Sequence, residues 1–302
     1  MILCCGESLI DMLPEGGAFL PLPGGSVYNT AVALGRLGAD AGYLWPLSTD
    51  DFGAALRGPL DKAGVDMSLC PETARLTTLA FVFLNDGNAS YSFYDEGTAG
   101  RMFDSAEIPA LPDTIDALFI GGISLIQEPC GSTVEEMAQR ASEKGAVIMV
   151  DLNIRPSLID DERATRDRLE GLMRIADIVK MSDEDATWLF PDHAPADTAV
   201  QLLDLGPRLI LRTHGSEGAT AIYRGGDVHR PADQVEVADT IGAGDTFNAG
   251  LLTALSESGK LSKTALDGLD DETLRDALDL AGRSAAVTVS RAGANPPWRD
   301  EL

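Results

Sequence analysis

Two aspartates bracket the stretch Asp239-Thr240-Ile241-Gly242-Ala243-Gly244-Asp245, and an apolar run at helical spacing follows it through Phe247, Ala249, Leu251, Leu252 and Leu255. A Gly-Ala-Gly turn opening a helix leaves main-chain N–H groups without intrahelical partners, aimed at one spot and backed by the positive end of the helix dipole. The lack of bulk lets a phosphate approach that backbone closely. Asp245, on the rim of such a cradle, is badly placed to bind a phosphate itself. It is well placed to take a proton from a hydroxyl that attacks one. Alone, the stretch reads as an ordinary helix capped by glycine and aspartate, and a phosphoryl-transfer reading needs a second glycine motif.

That motif is Gly24-Gly25-Ser26-Val27-Tyr28-Asn29. A Gly-Gly pair entering a helix lets a ligand approach the backbone, and Asn29 in the first turn offers a donor and an acceptor, a combination suited to the hydroxyls of a polyol. By itself it is also a plain helix entry. Asp11, at a strand end, is either an acceptor for ligand hydroxyls or a turn aspartate.

The elements that must position these groups alternate. Residues 2–12 read as a strand broken by Gly6, 27–37 as a helix closed by Gly38, 43–47 as a strand and 52–63 as a helix closed by Gly64. Then 76–84 and 89–94 are β-rich around Asn85-Asp86-Gly87-Asn88, a hairpin signature. With the strand running past Asp11 they predict a small antiparallel flap over the main sheet, built from about 12–23 and 75–100. Strands at 118–121, 147–151, 178–181 and 209–213 alternate with helices, among them 132–144 with a Ser132-x-x-Glu135 capping box and an amphipathic helix at about 162–175. A hairpin around Gly225-Gly226 and helices at about 244–256 and 272–291 close the chain. The pattern implies one α/β unit with a mainly parallel sheet covered on both faces. Ligands of such sheets sit beyond the carboxyl ends of the strands, where Asp11, Asp151 and Asp239 would fall.

The chain has 302 residues, 44% of them hydrophobic and 24% charged, the proportions of a soluble globular protein. Its formal net charge of −25 argues against nucleic acid and against an anionic membrane surface as partners. A polyanionic substrate must therefore bring a cation and rely on local donors. Cys4, Cys5, Cys70 and Cys130 form no CxxC pair and read as small hydrophobes in a reducing compartment. The start, Met1-Ile2-Leu3-Cys4-Cys5-Gly6-Glu7, lacks a basic segment, and no apolar run reaches the length of a membrane span, so a cytoplasmic location is expected. His193, His214 and His229 have no ligand spacing and read as surface or turn residues.

Gly24-Gly25-x-x-x-Asn29-x-Ala31 together with Asp239-Thr240-x-Gly242-Ala243-Gly244-Asp245 resembles the two signatures of the PfkB/ribokinase family of carbohydrate kinases. The match continues through Asp151-x-Asn153-x-Arg155, Thr213-x-Gly215-x-x-Gly218 and Arg291-Ala-Gly293-Ala294-Asn295, in family order. The segments 6–14 and 93–99 resemble the bacterial fructokinase branch. The resemblance implies a ribokinase-like three-layer α/β/α core with a β lid, ATP with Mg2+ in a groove, and a neutral sugar under the lid. Asp245 would be the general base, and Gly242, Ala243 and Gly244 would supply the anion hole. Asp11, Gly24, Gly25, Asn29, Tyr94, Asn153 and Arg155 would meet the sugar. Thr213, Gly215 and Gly218 are similar to the family's nucleotide-phosphate loop, and Ser182 and Asp185 stand where the family has an Asn-x-x-Glu motif associated with Mg2+ and phosphates, which implies a water-mediated role at the nucleotide. Asp239 matches a position beside a monovalent-cation site, which makes K+ a further candidate cofactor, although Pro297 replaces a serine often used there. A homodimer paired through the lid is also implied.

The substrate argument turns on Asp95. Related kinases for keto-deoxy sugar acids carry an arginine at the corresponding lid position, and a carboxylate there would repel an acidic substrate. Fructose is therefore expected first, a 2-keto-3-deoxy sugar acid second, with Arg155 and Arg101 as the counter-argument, and another neutral sugar or nucleoside third. A catalytically silent sugar- or nucleotide-binding regulator on the same fold is the alternative of another class.

Overall fold

The structure, a computed structural model, describes residues 1–85 and 88–302. Strand β1 (Ile2–Cys5) is buried at every residue, as an apolar run without alternation requires of a central strand. After Gly6 the chain leaves the core for β2 (Leu9–Glu15) and β3 (Ala18–Gly24), enters α1 (Ser26–Arg36) and returns as β4 (Ala41–Leu44). Two short strands, β5 (Leu47–Ser48) and β6 (Glu72–Thr73), flank α2 (Asp51–Lys62). A second excursion supplies β7 (Leu79–Asn85) and β8 (Asn88–Tyr94). Alternation then resumes with β9 (Ala117–Gly121), α3 (Cys130–Glu143), β10 (Val147–Asp151), α4 (Glu162–Ile175), β11 (Ile178–Ser182), α5 (Asp183–Leu189), α6 (Pro195–Leu203) and β12 (Leu209–Thr213). The hairpin β13 (Ala219–Tyr223) and β14 (Gly226–Arg230) precedes α7 (Ala243–Glu257), α8 (Lys263–Leu266) and α9 (Asp271–Val289).

Eight strands form the main sheet in the order β14-β13-β12-β11-β10-β9-β1-β4. Pairing is parallel from β4 to β12 and antiparallel only at β12–β13 and β13–β14. β9 and β10 are buried at all residues, so both faces of the sheet are covered. No helix among the described residues is long and apolar enough to cross a membrane.

The lid is a separate sheet in the order β3-β2-β7-β8. The expectation of a wholly antiparallel flap is corrected: β2 and β7 pair in parallel, and only the two flanking pairs are antiparallel. Both excursions leave the core in the same direction, and each returns on its own hairpin. Of the predicted turn Asn85-Asp86-Gly87-Asn88, residues 86 and 87 lie outside the described residues. Two further readings change. The expected strand at 43–47 ends at Leu44 because Pro46 cannot continue a ladder. Ser132 is not an N-cap: α3 starts at Cys130, and the Glu128 carboxylate ahead of Pro129 accepts from the Ser132 amide and hydroxyl at 3.3 and 3.0 Å.

Candidate active site

Helices α1 and α7 pack together at their N-terminal ends, which brings the two glycine motifs to one place. Gly242 caps α7 in the left-handed conformation at φ 78°, and a Cβ there would lie 2.8 Å from that of Ala294, so glycine is required on both counts. The following amides, of Gly244 and Asp245, belong to the first turn, where no intrahelical acceptor exists. Asp245 Oδ1 accepts from Ser26 Oγ at 2.7 Å and Oδ2 from Asn29 Nδ2 at 2.9 Å. Thr30 Oγ1 donates to the Asp245 carbonyl at 3.2 Å. The predicted base thus sits at the mouth of the predicted anion cradle, oriented by α1. Ser26 was not singled out beforehand, although its place in the Gly-Gly-Ser motif carried the signal.

Burial raises the Asp245 carboxyl to about 6, against the stabilising bonds from Asn29 and Ser26. Asp11, on β2, is raised to about 7 by burial and by repulsion from Asp245. It accepts no hydrogen bond from the described residues, and a Cβ on Gly24 would fall 2.1 Å from its Oδ2. An acceptor held free of protein partners beside a base suits a substrate hydroxyl.

Beneath the cradle lies a polar network in which Asp151, expected at the ligand end of the sheet, is joined by Lys180 and Asn248, which the sequence does not single out. Lys180 Nζ is 3.1 Å from Asp151, whose Oδ2 also accepts from Asn248 Nδ2 at 2.7 Å. All three residues are buried. Burial pulls the Lys180 pKa down, but Asp151 and Asp185 outweigh it and raise it, which keeps the ammonium charged. A Cβ on Gly244 would lie 3.3 Å from that ammonium, so the Lys180–Asp151 pair packs against the first turn of α7.

A cleft of about 400 Å³ runs up to the same point. Thr213, Gly215 and Gly218 line one side, Phe247, Ala286 and Val289 give it an apolar wall, and Ala243 and Gly244 also line it. The predicted nucleotide loop and the cradle are therefore walls of one cavity. Ser182 and Asp185 do not line it. They cap α5 reciprocally, the Ser182 amide donating to Asp185 Oδ2 at 2.8 Å and the Asp185 amide to Ser182 Oγ at 3.0 Å, while Asp185 Oδ1 accepts from the Ile154 amide at 2.7 Å. Asp239 accepts from the amides of Ile241 and Gly293 at 3.0 and 2.9 Å, joining the approach to α7 to the C-terminal loop. His214, read as a turn residue, also bonds Asp183 and Thr220 at 3.1 and 2.9 Å.

On the lid, strand register decides which side chains face the site. Asp11 pairs with Ala80 and Ala80 with Phe93, so Phe93, and Tyr91 two residues before it, share the face of Asp11. Tyr94 lies on the opposite face, packed edge-on against Phe81 at 5.3 Å and 63% exposed. The expectation that Tyr94 meets the sugar is corrected, because the two-residue period of a strand turns it outward. Tyr91 lies on the Asp11 side instead: burial and then Asp11 raise its phenol, with Arg155 opposing. Asn153 takes a left-handed turn at φ 38° after β10, and Arg155 is exposed, its guanidinium bonded among the described residues to the Ile154 carbonyl. Asp95 is not a free negative charge, since Arg101 pairs with it at 2.9 Å. The repulsion of acidic substrates expected from Asp95 is compensated.

Comparison with known proteins matches residues 6–301 to the pfkB family carbohydrate kinase model. The chain is 44% identical over 286 residues to a fructokinase of Rhizobium leguminosarum bv. trifolii, covering 92% of this chain and 87% of that one. It superposes on a fructokinase with bound ATP from Xylella fastidiosa with a TM-score of 0.90 at 32% identity, covering 97% of this chain and 93% of that one. It also superposes on an aminoimidazole riboside kinase from Salmonella enterica with a TM-score of 0.86 at 27% identity, covering 99% and 97%. With a cradle, a carboxylate and a nucleotide-sized cleft in family order over nearly the whole length, the chain belongs to the pfkB family of carbohydrate kinases.

Proposed function

We propose that the protein transfers the γ-phosphoryl group of ATP to a hydroxyl of fructose, with Asp245 as the general base. The observation that carries this reading is the meeting of three features: the cleft is lined by Ala243 and Gly244, the Gly242–Gly244 turn opens α7 there, and Asp245 follows it, bonded by Ser26 and Asn29. ATP lies along the apolar wall with its phosphates toward the loop of Thr213, Gly215 and Gly218. The sugar lies under the lid between Asp11, Asn29 and the Tyr91 face, over Gly24 and Gly25, with Asn153 and Arg155 at its edge. Asp245 removes the proton of the attacking hydroxyl as the phosphoryl group settles on the cradle amides. Catalysis is then positioning and fixed charge rather than covalent chemistry.

Mg2+ fits as a companion of the nucleotide. Among the described residues no group of three or more His, Cys, Asp or Glu could hold a metal, and this ion takes most of its ligands from phosphate and water. Bound there, it would neutralise phosphate charge. Asp239 and the Ile241 carbonyl are the donors for K+. Ser182 and Asp185 act at a distance, by fixing the loop of Asn153. The whole chain works as one kinase unit with the lid strands set into it. The fructokinase relatives support fructose as substrate; the exposed Arg155 and the paired Asp95 favour a 2-keto-3-deoxy sugar acid as the second reading. The outer face of the lid, where Phe19 and Tyr94 surround Phe81, pairs with a second copy.

ADP release measured across a panel of fructose, other hexoses, a nucleoside and a keto-deoxy sugar acid tests the assignment. Fructose should give the highest kcat/KM. Preference for the acid would overturn the substrate, and no turnover of any member would favour the silent regulator.

A further inference from the structure

We infer that Glu7 is a positioning residue for the catalytic base, acting through Ser26; this rests on the reading of Asp245 as base. Glu7 follows β1 and is 6% exposed, a buried acid with no cation paired to it among the described residues. Its Oε1 accepts from the Ser26 amide at 3.1 Å and its Oε2 from the Ser124 amide at 3.3 Å. Its main-chain carbonyl accepts from the Tyr28 amide at 3.3 Å. Helix α1 has a glycine N-cap with no side chain to offer, so two of its first amides end on Glu7. A carboxylate at that end also complements the helix dipole.

The surroundings are built for this side chain. A Cβ on Gly122 would lie 2.2 Å from Glu7 Oε1, and one on Gly25 would lie 2.5 Å from the Glu7 carbonyl. From the residue whose amide Glu7 holds, the hydroxyl goes to Asp245 Oδ1 at 2.7 Å, and one turn on, Asn29 goes to Oδ2. Glu7 therefore sets where the first turn of α1 stands, and that turn sets where the base points. It does not touch the cleft.

The test is a double-mutant cycle on kcat with fructose and ATP. Glu7→Gln keeps the shape but cannot accept from both amides. It should lower kcat by about 10- to 100-fold while leaving KM for ATP unchanged. In a Ser26→Ala background the same change should cost no more than about 2- to 3-fold, because the direct hydroxyl link is gone and only the Asn29 bond is left to pass the displacement on. Equal losses in the two backgrounds, or full kcat in Glu7→Gln, would overturn the inference. If Glu7→Gln does not fold, Glu7→Asp, which keeps the charge one methylene short, is read in the same cycle by the same criterion. Asp245→Asn separates this from the parent reading: a fully active variant removes the base, whereas additivity in the cycle removes only Glu7.

Discussion

The head of α7 and the lid meet over the same cleft but are held in different ways. Asp245 is fixed by contacts that reach across more than two hundred residues, to Ser26, Asn29 and Thr30, with a buried Lys180–Asp151–Asn248 network beneath. The lid is a four-stranded sheet whose outer face leaves Phe19 36% and Tyr94 63% exposed. Groups that meet a reacting atom are over-determined by the core, whereas groups that choose the substrate ride on a thin sheet that is free to vary. Damage to the two regions should therefore differ in kind, kcat in one and KM in the other.

The largest effect is expected at the base. Asp245→Asn should cut kcat by about 10²- to 10⁴-fold, the usual worth of a general base, with ATP affinity nearly intact by equilibrium titration. Retention of most activity would remove Asp245 from the role. Next comes its environment. Because Asp245 titrates at about 6 and Asp11 at about 7, kcat/KM should fall as pH drops through that range, well above the pH where an ordinary carboxylate protonates. Asn29→Ala deletes a donor that favours the anion, so the acid limb should move upward by about one unit. A limb that stays in place would mean that Asn29 does not tune the base.

These groups were legible because their chemistry is local in sequence. A glycine turn opening a helix, followed by an aspartate, states its purpose within seven residues, and the strand–helix alternation placed α4 at Glu162–Ile175 in advance. What was missed depends on distance or on register. Lys180 and Asn248 are ordinary letters until β11 and α7 bring them to Asp151. Tyr94 and Tyr91 look alike in a β-rich run, and only the pairing of Asp11 with Ala80 and of Ala80 with Phe93 tells which ring faces inward. Ser182-x-x-Asp185 carries the same letters for a helix cap as for a nucleotide contact, and here the cap is made.

A smaller effect tests the two faces of the lid. Tyr91→Ala should raise KM for fructose about 3- to 10-fold, the worth of an aromatic contact, with kcat little changed. Tyr94→Ala should leave that KM alone. Tyr94→Asp should instead shift the protein toward monomer in sedimentation velocity, since a charge on the outer face opposes pairing. Equal KM effects from the two alanine variants would erase the distinction between the faces.

The smallest effect concerns stability. Glu7, Asp11 and Asp245 titrate at about 7, 7 and 6 in the folded chain, burial being the first cause in each. Unfolded, they would titrate near 4. The folded state thus holds extra protons between about pH 4 and 7, so the stability these groups contribute is complete below that window and is lost as pH rises through it. Repulsion within a chain of net charge −25 acts in the same direction, but salt screens it, and it is nearly the same for any single variant. The informative quantity is therefore a difference measured at high salt. Asp245→Asn should melt above the wild type, by a margin that widens by roughly 2–4 °C between pH 5 and pH 8. Tyr94→Ala, which removes no carboxyl, should follow the wild-type pH slope. Parallel slopes for Asp245→Asn and wild type would mean that the base is not strained by its burial. Divergence would locate a cost of activity at the head of α7.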